Sequence, residues 1–141
     1  MNMAEKKKKE KVIFAKAKKK HAVARAALRK GTGILRVNKV RLQVIRPQLV
    51  KMLVEEPLLL AGETAKEVDI AVTVKGGGFM GQAMAARGAI AKALARHAKG
   101  DALRKTFLKY DRQLLVDDAR RKEPKKPLGK GARKKKQSSF R

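Results

Sequence analysis

The stretch Glu67-Val-Asp-Ile-Ala-Val-Thr-Val-Lys75 puts Val68, Ile70, Val72 and Val74 at strict period two, and three glycines follow it directly. That alternation describes a strand with one buried face and one open face. Beyond Gln82 a helical stretch runs to about Lys99, with Ala83, Ala86, Ile90 and Leu94 on an inward stripe and Arg87, Lys92, Arg96 and Lys99 elsewhere. A half-buried strand feeding such a helix requires a sheet with helices layered on one face. The alanines and Gly88 on the helix allow close approach to that sheet.

The remaining elements fit the same plan. Val12–Ala15 and Ala22–Arg29 read as extended, the second alternating Val23, Arg25, Ala27 and Arg29 against small or apolar neighbours. Gly31-Thr-Gly33 marks a turn, Ile34–Val37 a strand, and Asn38-Lys39 a tight reversal, because Asn tolerates positive φ; Val40–Ile45 should return beside it. Pro47 suits the first turn of a helix whose Leu49, Val50, Leu53 and Val54 share a face, and Pro57 should stop it. Gly100 ends the long helix, and Asp101 should cap a further turn through Leu103 and Phe107. The fold class is therefore α+β, a two-layer α/β sandwich.

A chain of 141 residues supports one domain with a modest core. Its 38 Lys and Arg against 12 Asp and Glu give a net charge of +26, whose self-repulsion opposes compaction unless a polyanion neutralises it. Residues 1–30 and 119–141 carry +10 each, and residues 31–118 carry +6. The segment after Arg120 holds few apolar residues and cannot fold alone. This gives a basic arm over residues 1–10, a globular domain over 11–110 and an extended basic tail over 111–141. Arms of this kind order on a phosphate backbone, whereas a solubility tail or import signal would need charge alone.

Nucleic acid is a better partner than membrane. The longest uncharged stretch, Gly76 to Ala86, is far short of the ~20 apolar residues a spanning helix needs. No apolar run or small-residue cleavage site follows the N-terminal lysines, so secretion is not indicated and a cytoplasmic location is expected. The absence of Cys excludes a disulfide frame, a thiol nucleophile and a Cys-based zinc site, leaving His21 and His97 as the imidazoles. No metal or cofactor is expected.

Gly76, Gly78 and Gly81 satisfy the G-x-G-x-x-G spacing of a dinucleotide-binding turn. The second strand with an acidic ribose ligand is missing, since Asp101 opens more helix, and no Gly-Lys-Ser or Gly-Lys-Thr is present. The glycines fit either a tight strand-to-helix turn or that turn with an RNA phosphate on the helix N-terminus. His21 among lysines suits a phosphate neighbour rather than a general base, and His97 a surface position or a partner of the helix C-terminus. Asp117-Asp118 fits a charge patch or an internal partner for nearby arginines better than a metal site. No residue is assigned to catalysis.

Taken together, Lys18-Lys-Lys-His-Ala-Val-Ala-Arg25, Gly31-Thr-Gly33 with Val37-Asn38, Val74-Lys-Gly-Gly-Gly-Phe-Met-Gly-Gln82, Ala91-Lys-Ala-Leu94, Tyr110-Asp-Arg-Gln-Leu-Leu-Val116 and the basic tail resemble the S-nine family of small-subunit ribosomal proteins, in its archaeal and eukaryotic branch. The ordered set spans almost the whole chain. The resemblance implies a ribosomal S5 domain 2-like fold, with a mixed four-stranded sheet and a left-handed βαβ crossover that breaks the usual handedness. It implies a non-catalytic role on rRNA in the subunit head, with the tail reaching the anticodon stem-loop of P-site tRNA. Neighbouring ribosomal proteins are the further expected partners, and no homo-oligomer is needed; a non-ribosomal basic nucleic-acid-binding protein is the alternative.

With the charge pattern, the resemblance gives Lys18, Lys19, Lys20, His21, Arg25, Lys75, Gly76, Gly77, Gly78, Gln82, Arg87, Arg120, Arg121, Lys122, Arg133, Lys134, Lys135 and Lys136 as expected rRNA contacts. Ser139, Phe140 and Arg141 are the expected tRNA contacts, Arg141 through its planar fork and Phe140 by stacking or anchoring. The 22 residues from Arg120 to Arg141 would span roughly 70 Å when extended, at ~3.3 Å each. Ala119 replaces the family's usual Pro, and Pro127-Leu128 its usual aromatic-Gly, so the tail path should differ there.

Overall fold

The computed structural model describes residues 11–98, 100–135 and 137–139. The expected arm at 1–10 and the expectations for Lys99, Lys136, Phe140 and Arg141 lie outside the described residues. Strand β1 (Ile13–Lys19) and β2 (Ala22–Lys30) form a hairpin, followed by β3 (Leu35–Val37), β4 (Val40–Arg41), α1 (Gln48–Ala61), α2 (Glu63–Lys66), β5 (Val68–Lys75), α3 (Phe79–His97) and α4 (Ala102–Tyr110). Among the described residues the sheet is five-stranded, in the order β1-β2-β5-β3-β4. All neighbouring strands are antiparallel except β3 and β5.

The fifth strand corrects the four-stranded expectation and is short. Asn38 and Lys39 take the positive φ angles expected of the reversal, but the returning chain pairs only through Val40 and Arg41 before a 3-10 turn at Leu42–Val44. Asn38 ties this hairpin to the sheet centre: its N–H donates to the Val72 carbonyl, and its Oδ1 accepts from Val74 N–H at 2.8 Å.

One sheet face carries the core. Ala15 and Ala17 of β1, Ala24, Ala26 and Leu28 of β2 and Val68, Ile70, Val72 and Val74 of β5 are buried on the side that α3 covers, and Leu35 of β3 joins the same buried cluster. Helix α3 is enclosed on more sides than one stripe allows, because α1 packs along it and the turn at Arg112–Leu114 closes a third side. Ala85, Ala89, Ala91 and Ala93 are therefore buried beside the expected Ala83, Ala86, Ile90 and Leu94. A Cβ on Gly88 would stand 3.2 Å from the Ala17 Cβ, which is the close approach its sequence position suggested.

Three local expectations change. Helix α1 continues through Pro57 to Ala61. Pro57 has no N–H for the Leu53 carbonyl, but Val54, Pro57 and Ala61 are all buried, and that apolar packing offsets the lost hydrogen bond. Asp101 makes no side-chain cap to α4. The packed body also runs past Tyr110, because Leu114 is fully buried and Asp117 and Asp118 bond to β1.

Candidate nucleic-acid interface

Among the described residues no helix lies over the second sheet face. Phe14, Lys16 and Lys18 of β1 oppose Ala27, Arg25 and Val23 of β2; Ala71, Thr73 and Lys75 of β5 continue those rows, and Arg36 and Arg41 extend them across β3 and β4. Phe14 is 68% exposed because its cross-strand neighbours Ala27 and Ala71 are too small to cover the ring. The surface is a flat floor of small side chains carrying cations and one free aromatic ring, which suits phosphates and an unstacked base. Sequence reasoning singled out Lys18, Arg25 and Lys75 here and did not place Phe14, Lys16, Arg36 and Arg41 beside them, which a register-based reading of the alternation would have done.

At one end of this sheet, segments remote in sequence converge. The exposed β1–β2 tip, Lys20-His21, lies against the β5–α3 turn: a Cβ on Gly76 would be 2.6 Å from the His21 carbonyl oxygen, and one on Gly77 3.2 Å from Ala22. Gly76 and Gly77 have φ of +80° and +67°, a backbone that favours glycine. The turn therefore has a steric reason of its own. Gln82 closes it by donating from its side-chain amide to the Gly76 carbonyl at 3.3 Å, while Gly78, the helix N-cap, has open space before it. Lys18, Lys20, His21, Lys75 and Gly76–Gly78 thus share one end of the body.

Several expected contacts are instead engaged within the chain. Arg87 is 6% exposed; its guanidinium joins Glu56 of α1 and Asp111 after α4, the second at 2.8 Å. Burial disfavours its charge, but pairing with the two carboxylates outweighs this and holds its pKa above the usual arginine value. Arg87 is corrected from a surface contact to a core staple, because α1 and residues 111–114 cover the α3 flank that a single-stripe reading left open. Lys19 donates to Gln113 and pairs with Asp118, both at 3.0 Å. Arg120 grips Asp118 with its Nε and Nη2 at 2.7–3.2 Å, though most of its side chain stays exposed.

The charges along the β1 edge are arranged closely. Asp117 accepts from Lys18 N–H at 3.0 Å and from Lys92 Nζ at 2.6 Å; burial pushes its carboxyl up, but these bonds bring the net pKa below the usual carboxylate range. Hydrogen bonds from Arg120 and then Lys19 hold Asp118 far lower still. Beside them a groove of about 720 Å³ is lined by Lys16, Lys18, Lys92, Arg96 and Arg104, with Asp117 as its carboxylate. Lys92, Arg96 and Arg104 were not singled out as contacts from sequence.

The tail is not extended throughout. Arg121 and Lys122 are exposed, but Gly129 and Lys135 pair as an antiparallel bridge and Glu123 accepts from Arg133 Nε at 2.9 Å. The reversal falls between Gly129 and Lys135, just after a turn at Pro127-Leu128, where the sequence departs from the expected pattern and Leu128 has φ +65°. Lys134, Lys135 and Ser139 are exposed. No helix among the described residues is long and apolar enough to cross a membrane, and no His, Cys, Asp and Glu side chains there group as a metal site.

The family model for ribosomal protein S9/S16 matches residues 17–141. The chain is 46% identical over 131 residues to the small ribosomal subunit protein uS9 of Methanothrix thermoacetophila, covering 93% of this chain and 99% of that one. It is 44% identical over 133 residues to the protein of the same name from Methanococcus maripaludis strain C5, with the same coverage. The buried strand, the glycine turn and the basic tail thus belong to one matched unit, and the chain is a member of the archaeal branch of the uS9 ribosomal protein family.

Proposed function

We propose that this chain, a non-catalytic rRNA-binding constituent of the cytoplasmic small ribosomal subunit by its family, grips rRNA in the subunit head with its open sheet face and hairpin end and carries its tail to P-site tRNA. The observation that carries the reading is the convergence of Lys18–His21, Gly76–Gly78 and the tail root at one end of the body. A cationic end with small side chains admits a phosphate backbone closely, and a tail starting there continues the same electrostatic track. Arg25, Lys75, Lys18, Lys20 and His21 are the body contacts in this reading, with Gly76–Gly78 and Gln82 shaping the turn beside them. Arg121, Lys122 and Arg133–Lys136 follow on rRNA, and Ser139, Phe140 and Arg141 meet tRNA. The S5 domain 2-like fold, with a left-handed crossover between β3 and β5, is the architecture we assign to the body. Neighbouring head proteins complete the assembly, with no second copy of this chain.

The test is subunit reconstitution with the full chain and with a chain ending at Asp118. Retained incorporation with weakened P-site tRNA binding supports both halves of the proposal. Unchanged tRNA binding removes the tail's role and leaves the rRNA role standing.

A further inference from the structure

We infer that Asp117 and Asp118 form a latch that docks the root of the tail onto the outer edge of β1 and sets the direction in which residues 119–141 leave the body. They are positioning residues, and the inference rests on the reading that the tail acts at a distance from the domain.

Strand β1 is a sheet edge, and its outward peptide groups at Phe14, Lys16 and Lys18 are potential sites for unwanted strand pairing. The three carbonyls and the Lys18 N–H have internal partners. Arg96 donates to the Phe14 carbonyl, and Lys92 Nζ donates to the Lys16 carbonyl at 3.2 Å. Lys18 N–H donates to Asp117 at 3.0 Å, and the Lys18 carbonyl accepts from Asp118 N–H at 3.2 Å. Helix α3 therefore covers the first part of the edge, and the tail root covers the last part as a short parallel bridge between Lys19 and Asp118. The parallel register fixes the direction of the chain at Asp118. Lys19 from the body and Arg120 from the tail then close on the same carboxylate.

Two adjacent acids are otherwise out of place in a chain of net charge +26 that must approach phosphate. Here both are occupied by cations and present little free negative charge. Beyond them the described tail contacts, Glu123 with Arg133 and Gly129 with Lys135, are within the tail itself. A tail whose root swings freely spreads its end over a large volume, lowering its effective concentration at a distant site by roughly tenfold for a modest loss of direction.

The experiment uses the full chain in reconstituted subunits. The chain has no Cys, so Gln137→Cys gives a single attachment point for an iron chelate that cleaves nearby RNA. Asp117→Asn with Asp118→Asn is expected to incorporate normally, scatter the cleavage pattern, and weaken P-site tRNA binding roughly tenfold towards the level of a chain ending at Asp118. Focused cleavage with unchanged binding, while the shortened chain binds more weakly, overturns the latch. If the shortened chain binds tRNA as well as the full one, the tail's action on tRNA fails, and the cleavage pattern alone then decides the latch. Should the double variant fail to incorporate, two glycines inserted between Arg120 and Arg121 leave the latch intact and uncouple the tail. Scattered cleavage is then the expected result, and focused cleavage overturns the proposal.

Discussion

Replacing Arg87 by Met should destabilise the isolated protein by about 3 kcal/mol, and also replacing Glu56 by Gln and Asp111 by Asn should recover much of that loss. The Arg87 side chain is 7% exposed and joins two carboxylates from different elements, so its removal leaves two partly buried anions facing each other. Breaking a buried pair typically costs about 3–5 kcal/mol. Glu56 and Asp111 keep 20% and 30% exposure, and water reaching them places the cost at the lower end of that range. The triple variant carries no charge to desolvate, so it should be more stable than Arg87→Met alone. With no Trp and one Tyr, the chain calls for urea unfolding followed by far-ultraviolet circular dichroism. A loss below about 1 kcal/mol for Arg87→Met, or a triple variant less stable than the single one, would refute the assignment of Arg87 to the core.

Gly76→Ala, whose Cβ would meet the His21 carbonyl oxygen at 2.6 Å in a positive-φ backbone, should cost at least roughly 1–3 kcal/mol in the same assay. Gly78→Ala, facing open space at negative φ, should stay within about 0.5 kcal/mol; equal effects would contradict the steric account of the turn. Asp69 is held below the usual carboxylate range by the Ile34 and Thr32 N–H groups, and Asp117 and Asp118 by their cationic partners. Because these folded values lie below the unfolded value of about 3.9, their stabilisation is present above that pH and lost as pH falls below about 4. Acid titration of Asp69→Asn should show a shallower loss over that window, and an unchanged slope would count against the account. On an rRNA head fragment, Arg25→Ala should lower the salt dependence of binding by about one phosphate contact, whereas Phe14→Ala should weaken binding with that dependence unchanged.

Much of the body was legible because local pattern and tertiary packing agree. The period-two run at Val68–Val74 is buried on the expected face, the Asn38-Lys39 reversal has its positive φ angles, and Ala83, Ala86, Ile90 and Leu94 face inward. What escaped depends on contacts between distant segments. Arg87 looks solvent-directed on a helical wheel that includes only the sheet, and Pro57 looks like a stop until its burial with Val54 and Ala61 is known. The pairing of Lys19 with Asp118, far away in sequence, has no local signal. The segment from Asp111 to Asp118 has the composition of a tail root, yet one buried leucine and the peptide groups of a sheet edge hold it to the body. The tail reversal between Gly129 and Lys135 had no local signal; only the turn before it, at Pro127-Leu128, falls where the sequence departs from the family pattern.

The most direct test of the account is cryo-electron microscopy of ribosomes with P-site tRNA, comparing the full chain with one lacking residues 137–141. The account predicts that the last residues lie within hydrogen-bonding reach of the anticodon stem-loop, and that their removal weakens P-site tRNA binding while the body keeps its place on rRNA. A tail that ends on rRNA away from the tRNA, with binding unchanged on truncation, would contradict it.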